Sequence, residues 1–237
     1  MIYTEKLEVK EIISDHWLSK LIGKPAYFLQ TISNSLDQRY FPKGSIFMWS
    51  KIPVNDIEKL IYFQKLGFYV VNTNIQLSLS KKIESRNNFN IRFAKPNDEL
   101  QVRGIAKNSF QYDRFSKDPN ISSEIACKIK EEWAGNFFLG KRGNWLIVAE
   151  QHSKIVGFLQ LIDKDHDAVI IDLIAVDVKS RGKGIAKEMI SYAYKNCLKK
   201  NDIMKVGTQI ENKLSVELYL KLGFRFNSAS YMLHMHK

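Results

Sequence analysis

The run Arg181-Gly182-Lys183-Gly184-Ile185-Ala186 carries the most direct chemical implication in this sequence. It follows a hydrophobic stretch that ends at Asp177-Val178, and it leads into a long amphipathic segment. Glycines at 182 and 184 let the main chain approach a ligand closely. The first N–H groups of a helix lack partners and its dipole is positive there, so an anion is favoured. Arg181 and Lys183 add positive charge, and the combination suits a phosphate group. Two other phosphate motifs are excluded: there is no GxxxxGK[ST] loop, and no GxGxxG with an acidic residue some twenty positions later. Further along, Asn212 and Tyr219 are seven residues apart, two helical turns, and share one helix face. A third candidate is Arg114-Phe115, a basic and aromatic pair within SFQYDRFSKDPNIS. The tip DKDHD, Asp163 to Asp167, holds carboxylates and one histidine, but a solvated hairpin turn is the preferred reading over a metal site.

These residues need a sheet and helices to position them. AYFLQTIS, SIFMWSKIP and FYVVNTNIQLSL read as strands, with NDIEKLIYFQKLG as a helix capped by Asn55. SLSKKIESRNNFN has the composition of an exposed connector, which places a boundary near Ser85 and divides the chain into 1–85 and 86–237. After it, NIRFAKP reads as a strand and Pro96-Asn97-Asp98 opens a helix. A second helix covers Ser122 to Ala134. WLIVAEQ and KIVGFLQLID form strands around a turn at His152-Ser153-Lys154, and AVIIDLIAVDV is a buried strand interrupted by Asp172. Helix, strand, helix and strand follow, over 184–200, 203–210, 213–222 and 224–234. The alternation requires a sheet covered by helices, an α/β or α+β layered class.

With 45% hydrophobic and 26% charged residues, the 237-residue chain has the composition of an ordinary globular protein. The formal net charge of +11 points to an anionic partner, against a generally Lys-rich surface. Cys127 and Cys197 make no metal spacing and read as reduced structural thiols. The start MIYTEKLEVKE is too charged for a signal peptide, and the longest apolar run is too short to span a bilayer. A cytoplasmic location without membrane insertion is therefore expected.

The segment IYFQKLGFYVVNTNIQL has an echo in LYLKLGFRFNSASYML. The copies align without a gap through Lys-Leu-Gly-Phe, placing Phe63 opposite Tyr219. No RGKGIA-like loop precedes the first copy.

Arg181 to Ala186, preceded by a hydrophobic strand, resembles the acetyl-CoA pyrophosphate loop of the GNAT N-acetyltransferase superfamily. ENKLSVELYLKLGF resembles the family's Asn-x-x-Ala-x-x-x-Tyr-x-x-x-Gly-Phe helix, with Ser215 or Val216 near the usual alanine. The likeness covers about residues 90 to 237. It implies an acyl-CoA N-acyltransferase fold, with the first 85 residues a partial and degenerate half. It also implies acetyl-CoA as co-substrate, held by Ile174, Ala175, Val176, Arg181, Gly182, Lys183, Gly184, Ile185, Ala186 and Asn212. Tyr219 then lies near the sulfur as general acid, strand amides near Ala175 to Asp177 receive the oxyanion, and no metal is required.

Within that family the chain resembles the TDP-fucosamine N-acetyltransferase branch of surface-polysaccharide synthesis, through SDHWLSKLIGKPAYFL, FQKLGFYVVNTNIQLSL, SFQYDRFSKDPNIS and the Tyr219 helix. This resemblance implies transfer of acetyl to the amine of a nucleotide-linked amino sugar, with Arg114, Phe115 and Asn72 at the acceptor. One departure is Asn72, which stands where the branch has an acidic candidate base. An amide does not act as a base at neutral pH. Other acceptors (a protein, a peptide, aminoacyl-tRNA or a small amine) stay open, as does a noncatalytic acyl-CoA sensor. Nucleic acid and membrane are not expected partners, and a homodimer is left open.

Overall fold

The computed structural model describes residues 12–30, 38–81, 83, 88–164, 168–199 and 203–237. In chain order its elements are β1 (Ile12–Ser14), α1 (His16–Ile22), β2 (Ala26–Leu29), β3 (Phe47–Pro53), α2 (Ile57–Lys65) and β4 (Tyr69–Leu79). Then come β5 (Asn90–Phe93), α3 (Glu99–Ser109), α4 (Ser123–Gly135), β6 (Trp145–Gln151), β7 (Lys154–Lys164) and β8 (Ala168–Val176). The chain closes with α5 (Ile185–Cys197), β9 (Ile203–Gln209), α6 (Lys213–Lys221) and β10 (Arg225–His236). This is the mixed α/β class that the alternating pattern predicts. No described helix is long and apolar enough to cross a membrane.

The described residues form two compact units, one from Met1–Thr73 with Ser230–Lys237, the other Asn74–Ala229. The division thus falls inside β4. The expected boundary at Ser85 lies outside the described residues. The connector around it is not simply exposed: Ile83 is buried in the second unit's core, and its carbonyl accepts the Ser191 hydroxyl of α5 at 2.8 Å. Further along, buried Glu188 of α5 accepts the N–H groups of Asn88 and Phe89 at 3.1 and 3.2 Å.

In the first unit the strands run β1-β2-β3-β10, with β2 and β3 parallel and the other two pairs antiparallel. Its core includes Leu29, Phe41, Met48, Ile52, Phe63, Phe68 and Leu233. Helix α1 is absent from the sequence expectation, although Asp15 and Gly23 bracket it. The Asp15 carboxylate accepts the Leu18 N–H, and Gly23 takes the left-handed conformation that ends a helix. Helix α2 is capped by Asp56, one residue later than expected.

In the second unit the order is β4-β9-β8-β7-β6-β5. All neighbours are antiparallel except β8 and β9. One face of this sheet carries α5 and α6 over Ile147, Leu159, Val169 and Ile171, and the other carries α3 and α4 over Leu146, Val148, Phe158 and Leu173. His152 and Ser153 turn the β6–β7 hairpin with positive φ, as expected of that polar turn. Each repeat ends in an exchanged strand. The strand after α2 pairs its Asn74–Leu79 part with β9, whereas the strand after α6 pairs its Ser230–His236 part with β3.

Candidate active site

A bulge shapes β8. Leu161 faces Ile171 and Gln160 faces Leu173, so Asp172 is an extra residue without an opposite partner. The extra residue reverses which side chains face which layer. Val169 and Ile171 pack on the α5 side, and beyond the bulge Leu173 and Ala175 pack on the α3–α4 side. Pairing of β8 with β9 also stops here, running only from Ala168–Ile203 to Ile171–Val206. Beyond Ile171 no further β8–β9 pair is formed among the described residues, although β9 runs on to Gln209, and we call this unpaired edge of β8 the slot.

The slot has identifiable donors. Asp177 N–H donates to Val156 O on the β7 side at 2.9 Å. Antiparallel alternation then turns Ala175 the same way and directs the amides of Ile174 and Val176 towards the slot. The expected oxyanion stretch from Ala175 to Asp177 is therefore corrected: Asp177 is committed to the sheet, and Ile174 and Val176 offer the available amides.

At the mouth of α5, Gly182 and Gly184 have φ of +78° and +88°, and a Cβ added at either would meet nothing within 4 Å. Glycine is required there by backbone conformation, and the space in front of both is open. Arg181, Lys183 and Gly184 are exposed, while Ile185 is buried and anchors the helix start. The Arg181 Nε donates to Val176 O at 2.9 Å, tying the loop to the slot-facing edge of β8.

On α6, the Asn212 carbonyl oxygen accepts the Ser215 N–H at 3.3 Å as the helix cap. Its amide nitrogen is the part suited to a ligand. Tyr219 is 2% exposed and packs its ring on Phe224, centroids 5.3 Å apart. Its hydroxyl makes no hydrogen bond among the described residues. Burial pushes the phenol's pKa well above its ordinary value, so the group keeps its proton across the neutral range.

The acceptor residues fare differently. Arg114 is half-buried, with its guanidinium carbon 4.3 Å from the Phe115 ring. Phe115 itself is 1% exposed, so its ring supports the loop from beneath and does not present a face to a ligand. Asn72 lies on the part of β4 that belongs to the first unit and is buried.

Sequence reasoning missed the most elaborate polar cluster. The Asp172 carboxylate accepts both Arg142 Nε and Nη2, at 2.7 and 2.6 Å, the Trp133 indole N–H at 2.9 Å and Gln160 Nε2 at 3.0 Å. A carboxylate engaged by a bidentate guanidinium, an indole and an amide has its oxygens committed to these donors and holds the bulge in place. The signal was present in AVIIDLIAV, where one charge interrupts a buried strand and must find partners.

Residues 102–224 match the model of the acetyltransferase (GNAT) family. The chain is 28% identical over 193 residues to the spore coat polysaccharide biosynthesis protein SpsD of Bacillus subtilis, covering 80% of this chain and 66% of that one. It therefore spans just under two thirds of that relative's length. A dTDP-fucosamine acetyltransferase of Escherichia coli O6:H1 is 23% identical over 188 residues, 78% of this chain and 80% of that one. Among solved structures, a conserved protein of unknown function from Staphylococcus epidermidis superposes with a TM-score of 0.65 at 13% identity, covering 93% of this chain and 88% of the other. The last likeness is one of fold alone. The family match spans the α3–α4 layer, the bulged β8, the glycine loop and the Tyr219 helix, and the chain belongs to the acetyltransferase (GNAT) family.

Proposed function

We propose that this chain transfers the acetyl group of acetyl-CoA to a primary amine on a nucleotide-linked amino sugar used in surface-polysaccharide synthesis. The observation that carries the chemistry is the hydroxyl of buried Tyr219, protonated and without a hydrogen-bond partner among the described residues, on the helix that follows the slot strand β9. The two relatives support the acceptor class. One is named for spore coat polysaccharide biosynthesis and the other for acetylation of a TDP-linked amino sugar.

In this reading the α5 amides and Lys183 hold the pyrophosphate, and the thioester end lies in the slot beside β8. The acceptor nitrogen attacks the thioester carbonyl, and its oxygen gains negative charge facing the Ile174 and Val176 amides. One such preorganised donor is worth about 3 kcal/mol in the transition state. Collapse breaks the C–S bond, and Tyr219 gives its proton to the departing sulfur. The raised phenol pKa makes full transfer to a thiolate uphill in water; the same burial raises the thiolate's basicity, which narrows the gap. Neither Asn72 nor the engaged Asp172 serves as base, so the amine enters in its neutral form, its nitrogen loses one proton to water after attack, and water returns a proton to the Tyr219 phenolate.

The test is direct. Purified protein with acetyl-CoA and dTDP-4-amino-4,6-dideoxygalactose should give a product heavier by one acetyl group, with one CoA thiol released per product. CoA release with other amines, and none with this sugar, would keep the transferase and discard the acceptor.

A further inference from the structure

Lys130 is 7% exposed, and the proposed chemistry does not use it. Its Nζ stands 4.6 Å from the Trp133 ring centroid, 5.1 Å from Phe110 and 5.8 Å from Phe115. The nearby carboxylate is Asp113, whose Oδ1 is 3.7 Å away, beyond hydrogen-bond range. Asp113 in turn organises the loop between α3 and α4: it accepts the Phe115 N–H at 3.0 Å and the Ser116 hydroxyl at 2.7 Å. Arg114 lies over Phe115 on the same turn. On the other side, Trp133 carries the Arg142 guanidinium at 4.6 Å and donates to Asp172 at the β8 bulge.

Cations and rings thus alternate from Arg114 through Phe115, Lys130, Trp133 and Arg142 to the bulge that opens the slot. Leu or Met would fill a purely structural position on α4 without desolvating a charge. Lysine keeps a cation that three flanking rings and one loop carboxylate all face.

We propose that the Lys130 ammonium is a positioning residue for the acceptor site, fixing the Asp113–Ser116 turn that presents Arg114 and registering it, through Trp133, against the Asp172 bulge. The role of the turn in acceptor binding rests on the proposed function; the ordering of the turn by Lys130 does not. Burial lowers the lysine's pKa, with Arg114 and Arg142 acting in the same direction and Asp113 and Asp172 opposing it. The charge is therefore lost at a lower pH than for an exposed lysine, and an arginine in its place would keep it.

Full-length Lys130→Met and Lys130→Arg proteins provide the test. Amide exchange over residues 110–117 at neutral pH should be about tenfold faster or more in Lys130→Met and return towards wild type in Lys130→Arg, a tenfold change being a modest shift in local opening. Acetyl-CoA affinity should stay within about twofold, because the cofactor loop is untouched. With dTDP-4-amino-4,6-dideoxygalactose, Lys130→Met should raise acceptor KM by about tenfold and leave kcat within about threefold. Wild-type KM should rise on the alkaline side, and in Lys130→Arg that rise should vanish. Unchanged loop exchange in Lys130→Met overturns the proposal, as does a fall in kcat at constant KM. Should Lys130→Met not fold, Asp113→Asn decides by the same exchange measurement, with a loosened turn expected and an unchanged one overturning the idea. Failure of wild type to acetylate the sugar rejects only the acceptor, since the exchange and acetyl-CoA arms still report on Lys130.

Discussion

The helix–turn–strand around Phe63 and the one around Tyr219 are nearly the same object. Asp56 and Asn212 cap their helices by accepting the N–H three residues on, from Lys59 at 3.1 Å and Ser215 at 3.3 Å. Gly67 and Gly223 end them with φ of +88° and +91°. Phe68 and Phe224 each donate N–H to the carbonyl five residues back, at 3.0 Å in both copies. Even the ring pairs agree, with Phe63–Phe68 centroids 5.1 Å apart and Tyr219–Phe224 centroids 5.3 Å apart. What differs is the cap side chain, one hydroxyl, and what comes before. Between β8 and β9 the parallel crossover is the glycine loop and α5. Between β2 and β3 the described residues of the crossover hold only a helical turn at Gln38–Tyr40. Capping residues and a left-handed glycine suffice to repeat the backbone; in the proposed function the chemistry rests on the phenol and on the glycine loop with α5.

The exchanged strands give that comparison its most severe test. A fragment 86–237, a natural guess at the catalytic domain, lacks the Asn74–Leu79 strand beside β9 together with core residues Ile75, Leu77 and Leu79. Burying each such side chain is worth roughly 1.5–3 kcal/mol, against a typical domain stability of about 5–15 kcal/mol. The fragment should fail to give a cooperative thermal transition and should release no CoA. Conversely, removing Ser230–Lys237 takes Leu233 and Met235 from the first unit's core. A fully active, cooperatively folding 86–237 fragment would show that the two repeats do not depend on each other's strands.

Making the two helices alike at the hydroxyl comes next. Tyr219→Phe should lower kcat about a hundredfold or more, the usual share of a general acid, with acetyl-CoA affinity little changed. Because burial raises this phenol's pKa, wild-type activity should show no loss from Tyr219 ionisation below about pH 10, the ordinary tyrosine value. Steady-state rates across pH, set beside calorimetric binding, check both. Wild-type turnover in Tyr219→Phe would reduce the second repeat to the architectural role of the first.

Valine at Gly184 separates a glycine that meets a ligand from one that ends a helix. In the left-handed region it costs about 1–2 kcal/mol of backbone strain, at Gly184 and at Gly67 alike. Only Gly184→Val should also weaken acetyl-CoA, by about tenfold or more, since its side chain enters the open space before α5. Equal affinities in the two variants would move the pyrophosphate elsewhere. A smaller effect is expected of Phe63→Tyr, which buries a hydroxyl in the first unit's core at a cost of about 1–3 kcal/mol in stability. With no glycine loop ahead of it, this tyrosine should add no second activity.

Local signals made much of this legible in the sequence. Period-two apolar runs gave β6 to β8, the glycines of the loop gave the start of α5, and Asn212 gave the start of α6. Pairings between distant segments were not legible. The exchange of β4 and β10 leaves no local trace, because a strand's sequence records which face is buried and not which neighbour it takes. The Asp172 cluster joins α4, the loop after it, β7 and β8, so the sequence shows its carboxylate and conceals its partners. The burial of Phe115 was hidden for a related reason: the sequence of a polar loop does not show that the Lys130 amine packs against this ring.

The finest contrast lies in the two caps. Asp56→Ala and Asn212→Ala each remove the acceptor for one helix-start N–H, which costs about 1 kcal/mol. Asp56 also approaches the Lys59 amine at 3.6 Å, a half-exposed pair that adds little. The stability losses should therefore match within a few tenths of a kcal/mol in chemical denaturation. Binding should not match. Asn212 uses its carbonyl oxygen for the cap and still has an amide nitrogen to donate, which the Asp56 carboxylate cannot do. Asn212→Ala should weaken acetyl-CoA by several-fold, the size of one ordinary hydrogen bond, and Asp56→Ala should leave it unchanged. Asn212→Asp isolates the nitrogen, since it restores the cap without the donor. If Asn212→Asp binds acetyl-CoA as tightly as wild type, Asn212 is a cap and nothing more, and the ligand-facing chemistry of the second repeat contracts to Tyr219.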